Sequence, residues 1–229
     1  MSDFQSALLT VRTSNLSSTA NGTHFDVDPP NVPWDSIGGY EQVKQRFQEI
    51  IEWPLLHSDT FKRLALGSNG ASSGVLLYGP SGCGKTHMVK AVATRMNVNF
   101  ISVKGSDILS KWLGESERII RELFARARLS APCILFFDEL DSIGLSRSGG
   151  GGDDGDSSGG GGVQNRVITQ LLNEMEGIQT KAQIFLIGCT TRLDLLDVGL
   201  LRPGRFETQI NVELPNEHDH FSFVCGDRP

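Results

Sequence analysis

The stretch Gly79-Pro80-Ser81-Gly82-Cys83-Gly84-Lys85-Thr86 has the residue types and spacing of a phosphate cradle, GxxxxGK[ST]. Small residues let consecutive backbone N–H groups turn inward on an anion, and a helix beginning near Lys85 would add its positive dipole end. Lys85 would then reach the β- and γ-phosphates of a nucleotide, and Thr86 would ligate magnesium. A thiol at Cys83, among such N–H groups, can be acidified; the plainer reading is a small residue that fills the loop.

A second group is Ile134-Leu135-Phe136-Phe137-Asp138-Glu139, an apolar run that ends in two acids. Ligands of open parallel sheets sit at the carboxyl ends of strands. Asp138 is suited there to hold magnesium, mostly through water, and Glu139 to orient and deprotonate an attacking water. A third group is Leu201-Arg202-Pro203-Gly204-Arg205-Phe206. Two arginines flanking a turn are ordinarily surface salt-bridge partners. They gain catalytic worth only where a neighbouring subunit's γ-phosphate comes within reach.

The elements that must position these groups alternate along the chain. Val75–Tyr78 reads as a short strand before the glycine loop, and Met88, Val89, Val92, Ala93 and Met96 mark the helix after it. Asn99–Val103 reads as a strand, and Ile119, Ile120, Leu123, Phe124 and Ala127 as a helix face. Cys133–Phe137 and Ile184–Gly188 are fully apolar, as strands buried on both faces are. Val163, Val167, Ile168, Leu171, Leu172 and Met175 give another helix, and Thr208–Leu214 a last strand. Upstream, Val43, Phe47, Ile50 and Ile51 mark a helix that Pro54 is expected to end. Strands separated by helices predict an α/β fold with a parallel sheet covered on both faces.

Composition bounds the rest. The 229 residues suffice for one α/β domain with a full core. The net charge is -6, and Asp153, Asp154 and Asp156 share one loop, so the body is only mildly acidic. Without a dense Lys/Arg run, a duplex nucleic acid is not expected as partner. Cys83, Cys133, Cys189 and Cys225 lack CxxC spacing and read as reduced, mostly buried thiols of a cytosolic or nuclear protein. No apolar run reaches membrane-spanning length. Residues 1–33 are expected to be a flexible arm, and the Gly/Asp/Ser-rich 148–162 a disordered loop.

Together these blocks resemble the AAA family of ring ATPases over 34–216. The likeness is greatest to the second ATPase domain of the valosin-containing-protein class, through Trp34-Asp35-Ser36-Ile37-Gly38-Gly39, Glu52-Trp53-Pro54-Leu55, Asn99–Gly105 and Ala131–Ser142. The peroxisome-biogenesis and ribosome-maturation AAA proteins share nearly the same blocks. The resemblance implies ATP and magnesium as cofactors, and a sheet of five parallel strands in the order 5-1-4-3-2 with helices on both faces. It implies that Ile37 and Gly38 pack on adenine, and that Lys111, Trp112 and Leu113 form a pore loop gripping polypeptide in the channel of a hexameric ring. Arg202 and Arg205 match fingers that act across the subunit interface. The function so implied is ATP hydrolysis driving protein remodelling, with adaptor proteins as partners and a cytoplasmic location. The nucleus or the periphery of an organelle membrane is the other placement.

Three departures from the family pattern stand out. Thr191 takes the place of the usual sensor asparagine; its hydroxyl can still bond a water or a phosphate oxygen, with fewer donors. Leu193 replaces the usual proline after it. Ser81 replaces a common proline in the loop. The family's helical lid is expected to be absent, with 217–229 a truncated or divergent tail. Thr191 and the missing lid motivate a rival, a nucleotide-binding regulatory subunit with little hydrolysis. A nucleic-acid motor or clamp-loader-like ATPase is a further rival, disfavoured by the lack of a basic stripe.

Overall fold

The computed structural model describes residues 30–57, 60, 74–110, 116–143, 160–178 and 184–214. The pore-loop residues Lys111, Trp112 and Leu113 lie outside these, as do residues 1–29 of the arm, 148–159 of the glycine-rich loop and the 217–229 tail.

Upstream of the sheet, α1 (Glu41–Phe47) runs through a π-helical turn (Gln48–Glu52) into α2 (Trp53–Leu56). The strands and helices that follow are β1 (Val75–Tyr78), α3 (Lys85–Met96), β2 (Asn99–Lys104), α4 (Gly105–Ser110) and α5 (Ser116–Leu129). Then come β3 (Cys133–Asp138), α6 (Gly160–Ile178), β4 (Ile184–Thr190) and β5 (Thr208–Asn211). The strands pair in parallel in the order β2-β3-β4-β1-β5. That is the expected 5-1-4-3-2 read from the other edge.

The apolar runs are explained by the two cores they feed. Successive side chains of a strand point to opposite faces. Cys133, Leu135 and Phe137 join Leu76, Ile101 and Leu186 in one core, under α5 and α6. Ile134 and Phe136 join Val75, Leu77, Phe100 and Ile187 in the other, under α1 and α3. Each face has an aromatic pair: Phe124 with Phe137, centroids 6.2 Å apart, and Phe100 stacked on Phe136 at 5.7 Å. A strand buried on both sides has no solvent face on which to alternate.

Four boundaries differ from the sequence expectation. Pro54 does not end the first helix. The π turn, in which Trp53 N–H donates to Gln48 O, widens the coil just before the proline, and the helix runs on to Leu56. The helix expected from Val163 begins at Gly160, so 160–162 belong to α6 and not to the glycine-rich loop. The last strand stops at Asn211 instead of Leu214. Residues 30–33, counted above with the arm, form a strap on α3: Val32 N–H donates to Thr94 Oγ1 at 3.1 Å, and Thr94 Oγ1 donates to Pro30 O. Trp34 completes the strap, with the Arg95 guanidinium 4.8 Å over its ring. Helix α4 had no sequence expectation.

Three of the four cysteines are described, and all three are buried free thiols. Burial pushes the Cys133 thiol up to about 12. Burial, with the Asp138 carboxylate beside it, raises Cys189 further, while Lys85 pulls the other way. The thiolate is the nucleophile, so both should resist iodoacetamide at pH 8 in the folded chain. Peptide mass mapping reads this directly; alkylation of either within minutes would contradict its place in the sheet.

Candidate functional site

The parallel register brings the carboxyl ends of β1, β3 and β4 to one edge, because β1 pairs with β4 and β4 with β3. The glycine loop leaves β1 there, the two acids leave β3, and Thr190-Thr191 end β4. Ligands of such sheets bind at that edge.

The loop needs its glycines for two different reasons. A Cβ at Gly79 would lie 2.0 Å from Val212 O, on the segment that follows β5, so this glycine permits a close approach of two backbones. Gly82 (φ +86°) and Gly84 (φ +73°) hold conformations that L side chains rarely adopt, and a Cβ at either would meet nothing within 4 Å. The requirement there is conformational, and the space over the loop is open, as a cradle for phosphates must be. Pro80 and Ser81 complete the turn. Cys83 is 5% exposed and belongs to the same core as Ile37 and Val89. It fills the base of the loop, as the plainer reading has it.

Lys85, at the head of α3, is buried, and its Nζ donates to Gly79 O at 2.8 Å and Pro80 O at 2.6 Å. Its charge therefore lies along the loop. Thr86 Oγ1 donates to Asp138 Oδ2 at 2.9 Å. Asp138 Oδ1 accepts from the Glu139 N–H at 3.0 Å, so both carboxylate oxygens are held. A hydroxyl and a carboxylate converging on one spot are the hard oxygen ligands magnesium takes, usually one or two beside water and phosphate. Among the described residues no group of three or more His, Cys, Asp or Glu could hold a metal. Thr86 and Asp138 would leave the remaining positions around such a cation to water and phosphate.

Glu139 has left-handed backbone angles, φ 52° and ψ 49°. Such a residue costs of order 1–3 kcal/mol and persists only where its surroundings impose it. Here they do: Glu139 O accepts from Ser142 N at 3.0 Å and Ser142 Oγ at 2.8 Å. Gly105 abuts the same turn, where a Cβ would stand 2.5 Å from Glu139 O and 2.2 Å from Ser142 Oγ. The reversal leaves Asp138 on Thr86 and the Glu139 side chain exposed, with Ser106 Oγ 3.4 Å from Oε2.

Asp141 was not singled out from the sequence. It accepts from Thr190 Oγ1 at 3.2 Å and from Thr191 Oγ1 at 3.4 Å, joining the turn after β3 to the end of β4. The Thr191 hydroxyl thus faces a carboxylate, and its oxygen offers lone pairs. Its spacing, an acid two residues after Glu139, was the only sequence signal.

Ile37 is buried in the core shared with Cys83, and Gly38 follows it; the preceding Trp34–Ser36 turn rests on α3. Ser36 Oγ lies 3.1 Å from His87 Nε2, in the first turn of α3, so the strap is tied beside the loop. Arg202 and Arg205 differ. Arg202 is exposed, whereas the Arg205 side chain is 12% exposed and bonded within the chain to Glu176 and Gly199 O.

The sequence model of the family described as ATPase family associated with various cellular activities (AAA) matches residues 75–214, from the first residue of β1 to just past β5. The matched span takes in the glycine loop, both acids, the two threonines and both arginines.

Removing one oxygen ligand tests the cation reading. In Thr86→Ala and Asp138→Asn, ATP affinity with magnesium should fall roughly 10–100-fold, the worth of one interaction with a charged group. Affinity without magnesium should change far less. Calorimetry with and without the metal distinguishes this from general damage to the loop.

Proposed function

The chain belongs to the AAA family of ATPases, and we propose that it binds ATP with magnesium and hydrolyses it in a ring of like subunits to remodel polypeptides. The observation that carries this reading is the convergence of Lys85, Thr86, Asp138 and Glu139 at one sheet edge, with Thr86 hydrogen-bonded to Asp138. The resemblance to the valosin-containing-protein class supports the finer part, the remodelling.

The geometry supports the roles given to Lys85, Thr86, Asp138 and Glu139, and the family resemblance those given to Ile37, Gly38, the arginine and Trp112. Ile37 and Gly38 flank the base, and the Gly79–Gly84 N–H groups take the phosphates. Lys85 leaves the Gly79 and Pro80 carbonyls for a phosphate oxygen, exchanging neutral acceptors for a charged one. Thr86 and Asp138 would hold magnesium, which would supply charge neutralisation at the phosphates. Glu139 takes a proton from water as the water oxygen bonds to the γ-phosphorus and the bond from that phosphorus to the bridging β,γ-oxygen breaks. Thr191, whose hydroxyl faces Asp141, accepts a hydrogen bond from that water and orients it. Arginine from the next subunit stabilises the charge that develops. Trp112, with Lys111 and Leu113 beside it, grips the polypeptide.

Glu139→Gln should keep ATP affinity and lower turnover about 10²–10⁴-fold, the usual worth of a general base. Equal turnover in variant and wild type would remove Glu139 from the mechanism. Trp112→Ala should abolish the stimulation of turnover by a permanently unfolded protein; stimulation that persists would sink the remodelling part.

A second reading is a regulatory subunit that binds ATP without turnover. It is favoured by the placement of Thr191 Oγ1 3.4 Å from Asp141 Oδ2, where a carboxylate competes with a phosphate oxygen for the single hydroxyl hydrogen. It requires tight binding, no turnover in the wild type, and a gain in Thr191→Asn.

A further inference from the structure

The two arginines after β4 have different surroundings. The Arg205 guanidinium donates to Glu176 Oε1 of α6 at 2.5 Å and to Gly199 O. Its own main chain is fixed as well. Arg205 O accepts from Gly74 N at 2.6 Å, just before β1, and Arg205 N donates to Arg202 O at 3.1 Å. Phe206, the next residue, is fully buried, and its N–H donates to Leu200 O at 3.0 Å. Asp197 holds the other side of the turn by accepting from Gly199 N at 2.7 Å. Arg202, at the tip, is exposed and makes no ion pair among the described residues.

From this geometry we infer that Arg205 and Glu176 form a clamp inside one subunit, and that Arg202 alone is presented to a neighbouring subunit's nucleotide. Arg205 is then a positioning residue, and Glu176, unremarked in the sequence, is its partner. To reach outward, Arg205, whose side chain is 12% exposed, would have to give up a charge-assisted bond and a carbonyl, while Glu176, 60% exposed, would turn to water. Arg202 gives up only water. The clamp sets the direction of the turn by joining α6, the Val198–Leu201 turn and the approach to β1. The inference rests on the proposed ring hydrolysis for the role of Arg202, but not for the clamp itself.

A thermal-melting cycle on the full 229-residue chain tests the clamp without any turnover. Arg205→Ala and Glu176→Gln should each lower Tm by about 2–4 °C. The double variant should fall no further than the larger single effect, and Arg202→Ala should leave Tm unchanged. Phenylglyoxal followed by peptide mapping should modify Arg202 first, and Arg205 only in Glu176→Gln. Steady-state turnover then tests presentation. Arg202→Ala should lose about 10³-fold or more in kcat. Arg205→Ala should lose less, with KM for ATP unchanged, and adding it to Arg202→Ala should cost nothing further. Additive melting effects, or equal labelling of both arginines in the wild type, would overturn the clamp. Arg205→Ala matching Arg202→Ala in kcat with Tm unmoved would make Arg205 a second finger. A wild type without turnover at any concentration would remove the ring reading, while the melting and labelling results would still decide the clamp.

Discussion

The hydrogen bond from Thr86 Oγ1 to Asp138 Oδ2 is the interaction on which the site depends. It joins residues 52 positions apart, Thr86 in the helix that follows β1 and Asp138 at the end of β3, and β4 lies between those two strands. It forms only where the ladders of β1 with β4 and of β4 with β3 bring those strand ends level. The long hydrophobic runs of β3 and β4 serve this register. A slip by one residue would turn each strand's side chains to the wrong core, and both cores are packed, so the slip is opposed on two faces at once.

Much of this was legible in the sequence. The alternation of buried strands with helices placed all five strands in a parallel sheet, while their order was what the resemblance to the AAA family implied. The phosphate loop was legible because its glycines answer to backbone demands that no other residue meets. What could not be read were features set by tertiary partners. Asp141 looked like one more acid in a polar turn until Thr190 and Thr191 came to it from another strand. Arg205 and Glu176 are 29 positions apart and share no local pattern. Pro54 misled because a proline stops a regular α-helix, while a π turn ahead of it changes the geometry the ring must clear.

Polar side chains here fall into two kinds. Some hold elements together, as Arg128 with Glu174 does between α5 and α6 at 2.8 Å. Others hold a reactive group in place, as Asp141 and Ser142 do around Glu139 and Thr191. The left-handed Glu139 belongs to the second kind. Its strain is sustained by Ser142 on one side and by the missing Cβ of Gly105 on the other. Residue 105 thus acts on the site by lacking a side chain.

The strap on α3 has a mechanical consequence. Pro30, Val32 and Trp34 grip Thr94 and Arg95 near the end of the helix, whereas Lys85 and Thr86 lie at its beginning. The two attachments are about nine residues apart, or roughly 13–14 Å along the axis. Force arriving through the chain before Pro30 would be applied at the far end of a rigid rod whose near end carries the phosphate loop. The helix is then a lever. A tug on the strap would reach the far end of α3 first, and Ser36 beside His87 would carry it on to the end that holds the loop.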